Sequence, residues 1–312
     1  LCVRYCDEVV GAQALGAVGI GSDTVVTGFM ESLADCDQCG NCIEVCPVGA
    51  LMSRPYRYKS RPWDLKEVDT ICPLCGTGCQ LTVGAREREL MRVRSKTDSG
   101  LNHESLCVRG RFGLDFTTQT QERIQQPMIR RDQKLVAVSW QEAFDFIAEK
   151  FTALRTNNKS VGGLISPSMT NETLYGFQKL MLQVFDSENI DSFCRWPLAE
   201  AYPVLKQLMD KFYSRTPLRD ILKVEHCLII GSNVTDENPV SDYLIREVQH
   251  RNQFELSIFS ARPSRLDRIA KSHQRFLPGD EPALIATLME RLPEAKSITL
   301  LMGIDVLKSP SV

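Results

Sequence analysis

The 312-residue sequence lacks several features that mark common protein classes. No apolar run reaches the roughly 18–20 residues that a bilayer-spanning helix needs, so a direct membrane span is not expected. Lysine plus arginine (37) nearly balance aspartate plus glutamate (39), which argues against nucleic acid as a partner. No G-x-G-x-x-G fingerprint, Walker loop or H-E-x-x-H motif occurs. We therefore expect any NADH or flavin site to lie on another chain.

Cysteine, by contrast, is abundant, with twelve residues. Four of them form the run Cys36-x2-Cys39-x2-Cys42-x3-Cys46, which is followed by Pro47. In such a run three thiolates hold three corners of a 4Fe–4S cubane, and the fourth ligates a neighbouring cluster. Disulfide scaffolds are usually much smaller than this chain. The run therefore predicts electron transfer by a protein of a reducing, cytoplasmic compartment.

A partial second run, Cys2-x3-Cys6, stands at the start of the sequence. Its spacing matches the end of the same motif, so we expect two more cysteines upstream and a longer polypeptide. Crossed ligation then predicts one complete cluster, held by Cys6, Cys36, Cys39 and Cys42. A further cluster would use Cys2, Cys46 and two thiolates from upstream residues.

A third array consists of Cys72-x2-Cys75-x3-Cys79 and the more distant Cys107. Structural zinc sites more often pair two C-x2-C knuckles, whereas this asymmetric spacing suits a cubane. Zinc remains the alternative, but a zinc ion cannot relay electrons between neighbouring clusters. Gly76 in the same loop would allow a close backbone approach to the cluster.

Beyond about residue 128, apolar segments of strand length alternate with segments of helical periodicity. Ser139 followed by Glu142 is a capping box that predicts a helix over 140–154. This alternation predicts a mixed α/β fold with a doubly wound, mostly parallel sheet. The predicted strands cover 161–167, 226–233, 254–260 and 297–303, and the predicted domains are 1–60, 61–125 and 126–312.

Two motifs carry a family resemblance. CPLCGTGC with LCVRGRFG resembles the cluster-binding domain of molybdopterin oxidoreductases such as formate dehydrogenases. CPVGALMSRPYRYKSRPWDL resembles the large iron–sulfur subunit of NADH:quinone oxidoreductases (respiratory complex I). The resemblance implies a ferredoxin-like region, a small 4Fe–4S domain and an α/β domain of molybdopterin-oxidoreductase type.

The resemblance also allows a test for a molybdenum centre. Formate dehydrogenases carry a Cys or selenocysteine metal ligand and then a catalytic His shortly after an Asn-Ile-Asp segment and an Arg. Counted from Arg195, these two positions hold Pro197 and Leu198, so neither ligand nor proton carrier is present. A shifted alignment would offer Cys194 as ligand but would place Arg195 where the His belongs. We therefore expect no molybdenum and no catalytic residue on this chain.

Some cofactor-contact positions of the resembled family are partly retained. Gly231, Ser232 and Asn233 stand where relatives bind a pterin dinucleotide, and 278–280 resembles a second contact. The acidic residue of the relatives' Asp-Pro-Arg is missing, since Ala261-Arg262-Pro263 stands there. We expect a vestigial groove, with Arg109 a cation beside the third cysteine array.

The resemblance implies an electron-relay subunit that works with a flavin- and NADH-binding subunit and further iron–sulfur subunits. It would belong to the cytoplasmic peripheral arm of a membrane-bound complex and would pass electrons toward quinone. The doubled ferredoxin run leaves two alternatives open. One is a fragment of a molybdenum or tungsten formate dehydrogenase, and the other is a relay subunit of a soluble NAD(P)-linked hydrogenase.

Overall fold

A computed structural model describes most of the chain, in two compact units. The first unit comprises Leu1–Thr118 and Glu200–Val312, and the second Gln119–Ala199. The described residues are 1–87, 89–98, 102, 104–114, 123–157, 159–192, 202–203, 206–207, 218–251, 254–291, 297–303 and 306. Among their helices, none is both long and apolar enough to cross a membrane. The domain bounds near residues 60 and 125 stay a prediction.

The first 60 residues of unit 1 contain short elements joined by loops. Helix α1 is Cys2–Glu8 and helix α2 is Asn41–Glu44, while β1 (Gly16–Val18) and β2 (Val25–Thr27) form an antiparallel pair. Gly40 precedes α2 with a left-handed φ of 70°, and a Cβ there would stand 2.4 Å from the Arg111 side chain. Short 3-10 turns lie at Gly21–Asp23 and Phe29–Glu31, and a third, Pro62–Asp64, follows this region.

A three-stranded antiparallel sheet follows in the sequence. Its strands are β3 (Lys66–Ile71), β4 (Gln80–Arg86) and β5 (Glu89–Ser95), in that order. Leu81 of β4 and Val93 of β5 are buried. Side chains of a strand alternate between the two faces of the sheet, and these two lie on the face that packs inward. Helix α3 (Val108–Phe112) begins directly after Cys107.

The rest of unit 1 is a four-stranded parallel sheet in the order β12-β11-β10-β13. Strand order reverses at β10, whose five residues are all buried, as expected for a central strand covered on both faces. The predicted mixed α/β fold with a doubly wound sheet is therefore confirmed. Its elements are β10 (His226–Ile230), β11 (Glu255–Phe259), β12 (Ser272–Gln274), β13 (Ile298–Met302), and 3-10 turns at Leu218–Lys223 and Arg265–Arg268.

The helices associated with this sheet in the sequence are α6 (Val234–Glu237), α7 (Pro239–His250) and α8 (Glu281–Arg291). Pro239 stands in the first turn of α7, where its missing N–H leaves no helical bond unmade. One side of the sheet packs Cys227, Ile229 and Ile245, and the other packs Leu228 and Ile230.

Unit 2 contains a hairpin of β6 (Met128–Arg131) and β7 (Lys134–Ala137), then α4 (Trp140–Thr156) and α5 (Asn171–Lys179). The Ser139 hydroxyl accepts a 3.2 Å hydrogen bond from the Glu142 amide, which confirms the predicted helix start. A π-helical turn, Leu180–Val184, extends α5.

The strand predicted over 161–167 is shorter than expected. Strand β8 covers only Gly163–Leu164 and pairs in parallel with β9 (Ile190–Asp191) in a separate two-stranded sheet. Gly163 has no side chain to pack, and a Cβ on it would stand 2.8 Å from the Met181 sulfur. Because this neighbour leaves no room for a side chain at Gly163, β8 pairs with β9 through its backbone and presents no apolar side chain at this position.

Candidate iron–sulfur centres

The first group of thiols comes together although its members are distant in sequence. Cys6 stands on α1, whereas Cys36, Cys39 and Cys42 surround the loop that enters α2. The Cys6 thiol interacts electrostatically with Cys36, and Cys42 interacts with both of them. Cys39 in turn interacts with Cys42. These four thiols therefore lie near one another in the fold, and their ligation of one cluster stays a prediction.

Backbone amides point at these sulfur atoms. The Gln38 amide donates to the Cys36 sulfur at 3.3 Å, and the Ala14 and Leu15 amides lower the Cys6 pKa against the dominant effect of burial. Burial raises the pKa of Cys39 to about 11. A thiol so buried is neutral unless a cation replaces its proton, which is the chemistry of a metal-ligating thiolate.

Cys46 and Cys2 are the two remaining candidate ligands in the first 60 residues. Backbone amides, that of Leu51 foremost, lower the pKa of the Cys46 thiol. Cys2 interacts electrostatically with Cys42. Cys46 lines a cavity of about 710 Å³ together with Tyr56. The Cys46 thiol therefore faces a space where an additional group could be held.

The second group of thiols is built by the β3–β4 connection. The Cys72 amide donates to the Cys79 carbonyl at 2.9 Å, and the intervening loop presents Cys75. Cys107 approaches from the start of α3, and all four thiols interact electrostatically. Burial raises the pKa of Cys79 to about 12. Near the loop, a Cβ on Gly110 would stand 3.5 Å from the Cys72 sulfur.

The geometry of this group bears on the choice between zinc and a cubane. Zinc needs its thiolates about 2.3 Å from one central ion. Across the described part of the chain, which includes all ten candidate cysteines, no three His, Cys, Asp or Glu side chains converge to hold a single ion. By this criterion the four thiols are not arranged around one zinc ion, and their asymmetric spacing in the sequence suits a cubane.

Thiols of both groups contribute to one hydrophobic core, namely Cys39 of the first group and Cys72, Cys79 and Cys107 of the second. Tyr243 of α7 is buried there, and its phenol interacts electrostatically with Cys39 of one group and Cys107 of the other. Burial is the main reason that the pKa of this phenol is strongly raised. We call this set the cysteine core; its buried members are Val10, Ala12, Cys39, Cys72, Cys79, Leu81, Val93, Leu106, Cys107, Leu114, Val240 and Tyr243.

Arg111, which the sequence reasoning missed, connects the two cysteine regions. Its buried guanidinium donates to the Cys39 carbonyl at 2.7 Å, to the Val93 carbonyl at 3.3 Å and to Asn41 Oδ1 at 2.7 Å. It also forms an ion pair with Glu44. The only signal in the sequence was that Arg111 stands four residues after Cys107. It belongs to the same LCVRGRFG motif as Arg109, and only Arg109 was singled out there.

Arg109 lies near the second group of thiols, which is the third array of the sequence. It interacts electrostatically with Cys72, and its guanidinium donates to the Asp236 carbonyl at 2.7 Å. Nearby, the Thr77 hydroxyl donates to Asn238 Oδ1 at 3.0 Å. These contacts fix the second cysteine loop to the turn between α6 and α7.

Gly231, Ser232 and Asn233 follow β10, at the sheet's switch point, where doubly wound folds bind nucleotides. Here the donors are already used by the chain. Ser232 donates to Glu237 at 2.7 Å, and the Asn233 amide donates to the same carboxylate at 3.3 Å. Gly231 also packs closely on Val306, where a Cβ would stand 2.2 Å from that side chain. Two carboxylates, Asp236 and Glu237, would repel a diphosphate, so this loop does not fit a pterin dinucleotide.

The other cofactor-contact positions give no further support. Cys194, Arg195, Pro197 and Leu198 lie outside the described residues. At the second predicted contact, the Gly279 amide donates to the Glu281 carboxylate at 2.6 Å, so another carboxylate takes the backbone donor.

Comparisons with known proteins agree with this architecture. Residues 123–290 match the Molybdopterin oxidoreductase family, 65–119 the Molybdopterin oxidoreductase Fe4S4 domain, and 1–52 the NADH-quinone oxidoreductase subunit 3 ferredoxin-like domain. The chain belongs to the molybdopterin oxidoreductase family. Within it, the chain is a homologue of the large iron–sulfur (G-type) subunit of NADH-quinone oxidoreductase.

Three relatives illustrate this homology. The second G-type NADH-quinone oxidoreductase subunit of Rhizobium meliloti (strain 1021) is 51% identical over 99% of this chain and 40% of its own length. The NADPH-Fe(3+) oxidoreductase alpha subunit of Geobacter sulfurreducens is 30% identical over 94% of this chain and 34% of its own. The mitochondrial NADH-ubiquinone oxidoreductase 78 kDa subunit of Candida albicans is 28% identical over 99% and 42%. This chain thus spans well under half of each relative.

Among solved structures, acetylene hydratase from Pelobacter acetylenicus superposes with a TM-score of 0.53 at 15% identity. The match covers 72% of this chain and 32% of that one. At this identity the likeness concerns the fold alone.

Proposed function

We propose that this chain is the iron–sulfur electron-transfer subunit of a complex I-like NADH:quinone oxidoreductase. It would relay electrons from a flavoprotein subunit toward quinone. One observation carries the proposal: Cys39 of the first group and Cys72, Cys79 and Cys107 of the second are buried in a single hydrophobic core. Backbone amides also donate to Cys36 and Cys6 of the first group. Homology to the large iron–sulfur subunit of NADH-quinone oxidoreductase supports the same conclusion.

The proposed ligand sets follow the two groups. One 4Fe–4S cluster would be held by Cys6, Cys36, Cys39 and Cys42. The other would be held by Cys72, Cys75, Cys79 and Cys107. Cys2 and Cys46 would share a further cluster with upstream residues, and the cavity beside Cys46 offers room for that part of the site.

A bound 4Fe–4S cluster supplies one-electron redox chemistry. The chain's own residues bind the iron, exclude water and set the electrostatic environment. Amides such as that of Gln38 donate to thiolate sulfur, which stabilises negative charge on the ligands. Tyr243 and Leu81 keep solvent out of the core between the two groups. Arg111 fixes the backbone of Cys39 relative to strand β5.

We infer that the chain converts no substrate and holds no molybdenum. The blocked loop at Gly231, Ser232 and Asn233 supports a vestigial pterin groove. Arg109 supports this interpretation as well, since it donates to a backbone carbonyl of α6 beside the cysteines. Its proposed role is a cation near the second cluster.

The proposed partners are a flavin- and NADH-binding subunit and further iron–sulfur subunits, without nucleic acid. The proposed location is the cytoplasmic peripheral arm of a membrane-bound complex. A second candidate is a relay subunit of a soluble NAD(P)-linked oxidoreductase. The Geobacter relative, whose name describes an NADPH-dependent enzyme, and the doubled ferredoxin run favour that candidate.

The test is low-temperature EPR of the purified assembly after reduction with NADH, combined with metal analysis. We expect at least two 4Fe–4S signals and no stoichiometric molybdenum or tungsten. Stoichiometric molybdenum or tungsten would replace the relay proposal with a formate dehydrogenase. Zinc in place of the second cluster would mean that the Cys72 array has a structural role and does not transfer electrons. Reduction by NADPH but not NADH would favour the second candidate.

A further inference from the structure

The first cysteine loop contains a buried carboxylate with two cationic partners. Asp37 stands between Cys36 and Cys39, and its side chain is only 9% exposed. Arg246 of α7 forms an ion pair with it at 3.1 Å, and Arg265 forms another. These arginines are more than 200 residues away in sequence. We call Asp37, Arg246 and Arg265 the carboxylate clamp.

The clamp holds the loop at several points. Besides binding Asp37, the Arg265 guanidinium donates to the Asp35 carbonyl at 3.1 Å. The Arg246 side chain packs on Gly11, where a Cβ would stand only 2.7 Å from it. Gly11 follows Cys6 by five residues, so Arg246 contacts both segments that supply the first group of thiols.

The charges of the clamp are close to the thiols, and Asp37 and Arg246 are shielded from water, whereas the Arg265 side chain is 38% exposed. Asp37 interacts electrostatically with Cys6 and Cys39, and Arg246 interacts with Cys39. Asp242, fully buried, forms a second ion pair with Arg246. Buried ion pairs contribute little net stability compared with apolar packing, so stability alone is a weak reason for placing one here. A charge in a low-dielectric interior acts strongly on its neighbours.

We propose that the carboxylate clamp positions the Cys36–Cys39 loop and sets the reduction potential of the cluster which that loop would hold. This inference rests on the proposed function. Adding an electron increases the negative charge of the site, so a nearby carboxylate disfavours reduction and a nearby guanidinium favours it. The three residues are positioning residues and take no direct part in electron transfer.

The opposite signs of the charges give a sharp test. In the intact assembly, Asp37→Asn should raise the midpoint potential of the first cluster, and Arg265→Gln should lower it. Arg265→Lys keeps the charge and should restore the wild-type potential. Arg268→Gln is the matched control, because Arg268 is an exposed residue on the same 3-10 turn. The second cluster provides an internal reference that should shift less.

The measurement is an EPR-monitored potentiometric titration of each variant, with spin integration to verify cluster content. The proposal would be supported if the midpoint potential of the first cluster shifts in opposite directions in Asp37→Asn and Arg265→Gln and does not shift in Arg268→Gln. If the EPR signals of the variants are intact and their midpoint potentials are unchanged, the clamp proposal is overturned while the proposed function stands. A substitution could instead cause loss of the first cluster. In that case Arg265→Lys decides: if the first cluster of Arg265→Lys does not keep the wild-type potential, tuning by charge is likewise overturned. Absence of both signals from the wild-type assembly would overturn the proposed function and the clamp with it.

Discussion

The two hydrophobic cores on either side of helix α7 are built from different chemistry. The cysteine core combines thiols with a buried phenol, and a guanidinium network lies against it. The second, which we call the aliphatic core, contains Ile245 and Val248 of α7 with residues of β10 and β11. Val240 and Tyr243 of the same helix face the cysteine core. One helix therefore serves both.

This difference shows which parts of the fold the chain can stabilise by itself. Burial of aliphatic side chains supplies its own driving force. Buried thiols crowded together contribute much less apolar area, and their raised pKa values show that they are neutral without a cation. Metal sites with many thiol ligands commonly couple binding to folding. The cysteine core should therefore depend on iron, whereas the aliphatic core should not.

Removal of the iron should produce the largest difference between the two cores. After anaerobic oxidation and chelation of the assembly, we expect amide hydrogen exchange to rise sharply in residues 36–46 and 72–79. Exchange in β10 and β11 should change little, because the aliphatic core holds them. Exchange measured by mass spectrometry checks both regions in one sample. An equal rise in the two regions would contradict an iron-independent aliphatic core.

Arg111→Met should have the next largest effect. The change leaves Glu44 without its buried cationic partner, and breaking such a pair costs about 3–5 kcal/mol. We expect this loss in the free energy of opening of β5, measured by hydrogen exchange. Arg4→Met is the control, since its ion pair with Glu8 is exposed, and it should leave that free energy unchanged. Equal effects from both variants would contradict a structural role for Arg111.

Ile245→Val tests the aliphatic core alone. Ile245 is fully buried, and removing one methylene from such a site costs about 1 kcal/mol. Exchange of β10 amides should report this loss, while the EPR signals of both clusters should be unchanged. Altered cluster signals would show that the two cores are more tightly coupled through α7 than their compositions indicate.

The smallest expected effect concerns pH. Burial lowers the pKa of His226, on β10, below its usual value of 6.5, while the Glu255 carboxylate opposes this. Below about pH 6.5 the unfolded chain binds a proton that the folded chain resists, so stability falls as pH falls through that window. His226→Gln should flatten the pH dependence of β10 exchange between pH 7 and pH 5.5, values chosen to bracket that range. An unchanged profile would contradict this assignment.

Much of the α/β architecture could be predicted from local patterns. The Ser139 cap and the parallel strands β10, β11 and β13 lie where periodicity and turn residues indicated. Strand β8 was harder to predict, because Gly163 contributes backbone pairing without a packed side chain. Short strands of this kind depend on tertiary neighbours rather than on their own sequence.

The candidate site divides in the same way. Cysteine spacing is a local signal, and it is sufficient to predict ten candidate ligands from the sequence. Asp37 and Arg246, 209 residues apart, form an ion pair that no local pattern could indicate. Arg111 reaches back about 70 residues to Asn41 for the same reason. Residues that connect segments become visible only when the segments are folded together.

Reciprocal cysteine substitution tests the central claim, that two separate thiol groups each hold a cluster, most directly. In the reduced assembly, Cys75→Ser should abolish one 4Fe–4S EPR signal and spare the other, and Cys39→Ser should do the reverse. Cys227→Ala, which removes a thiol from the aliphatic core, should leave both signals intact. Loss of both signals in each single variant, or of neither, would contradict the claim.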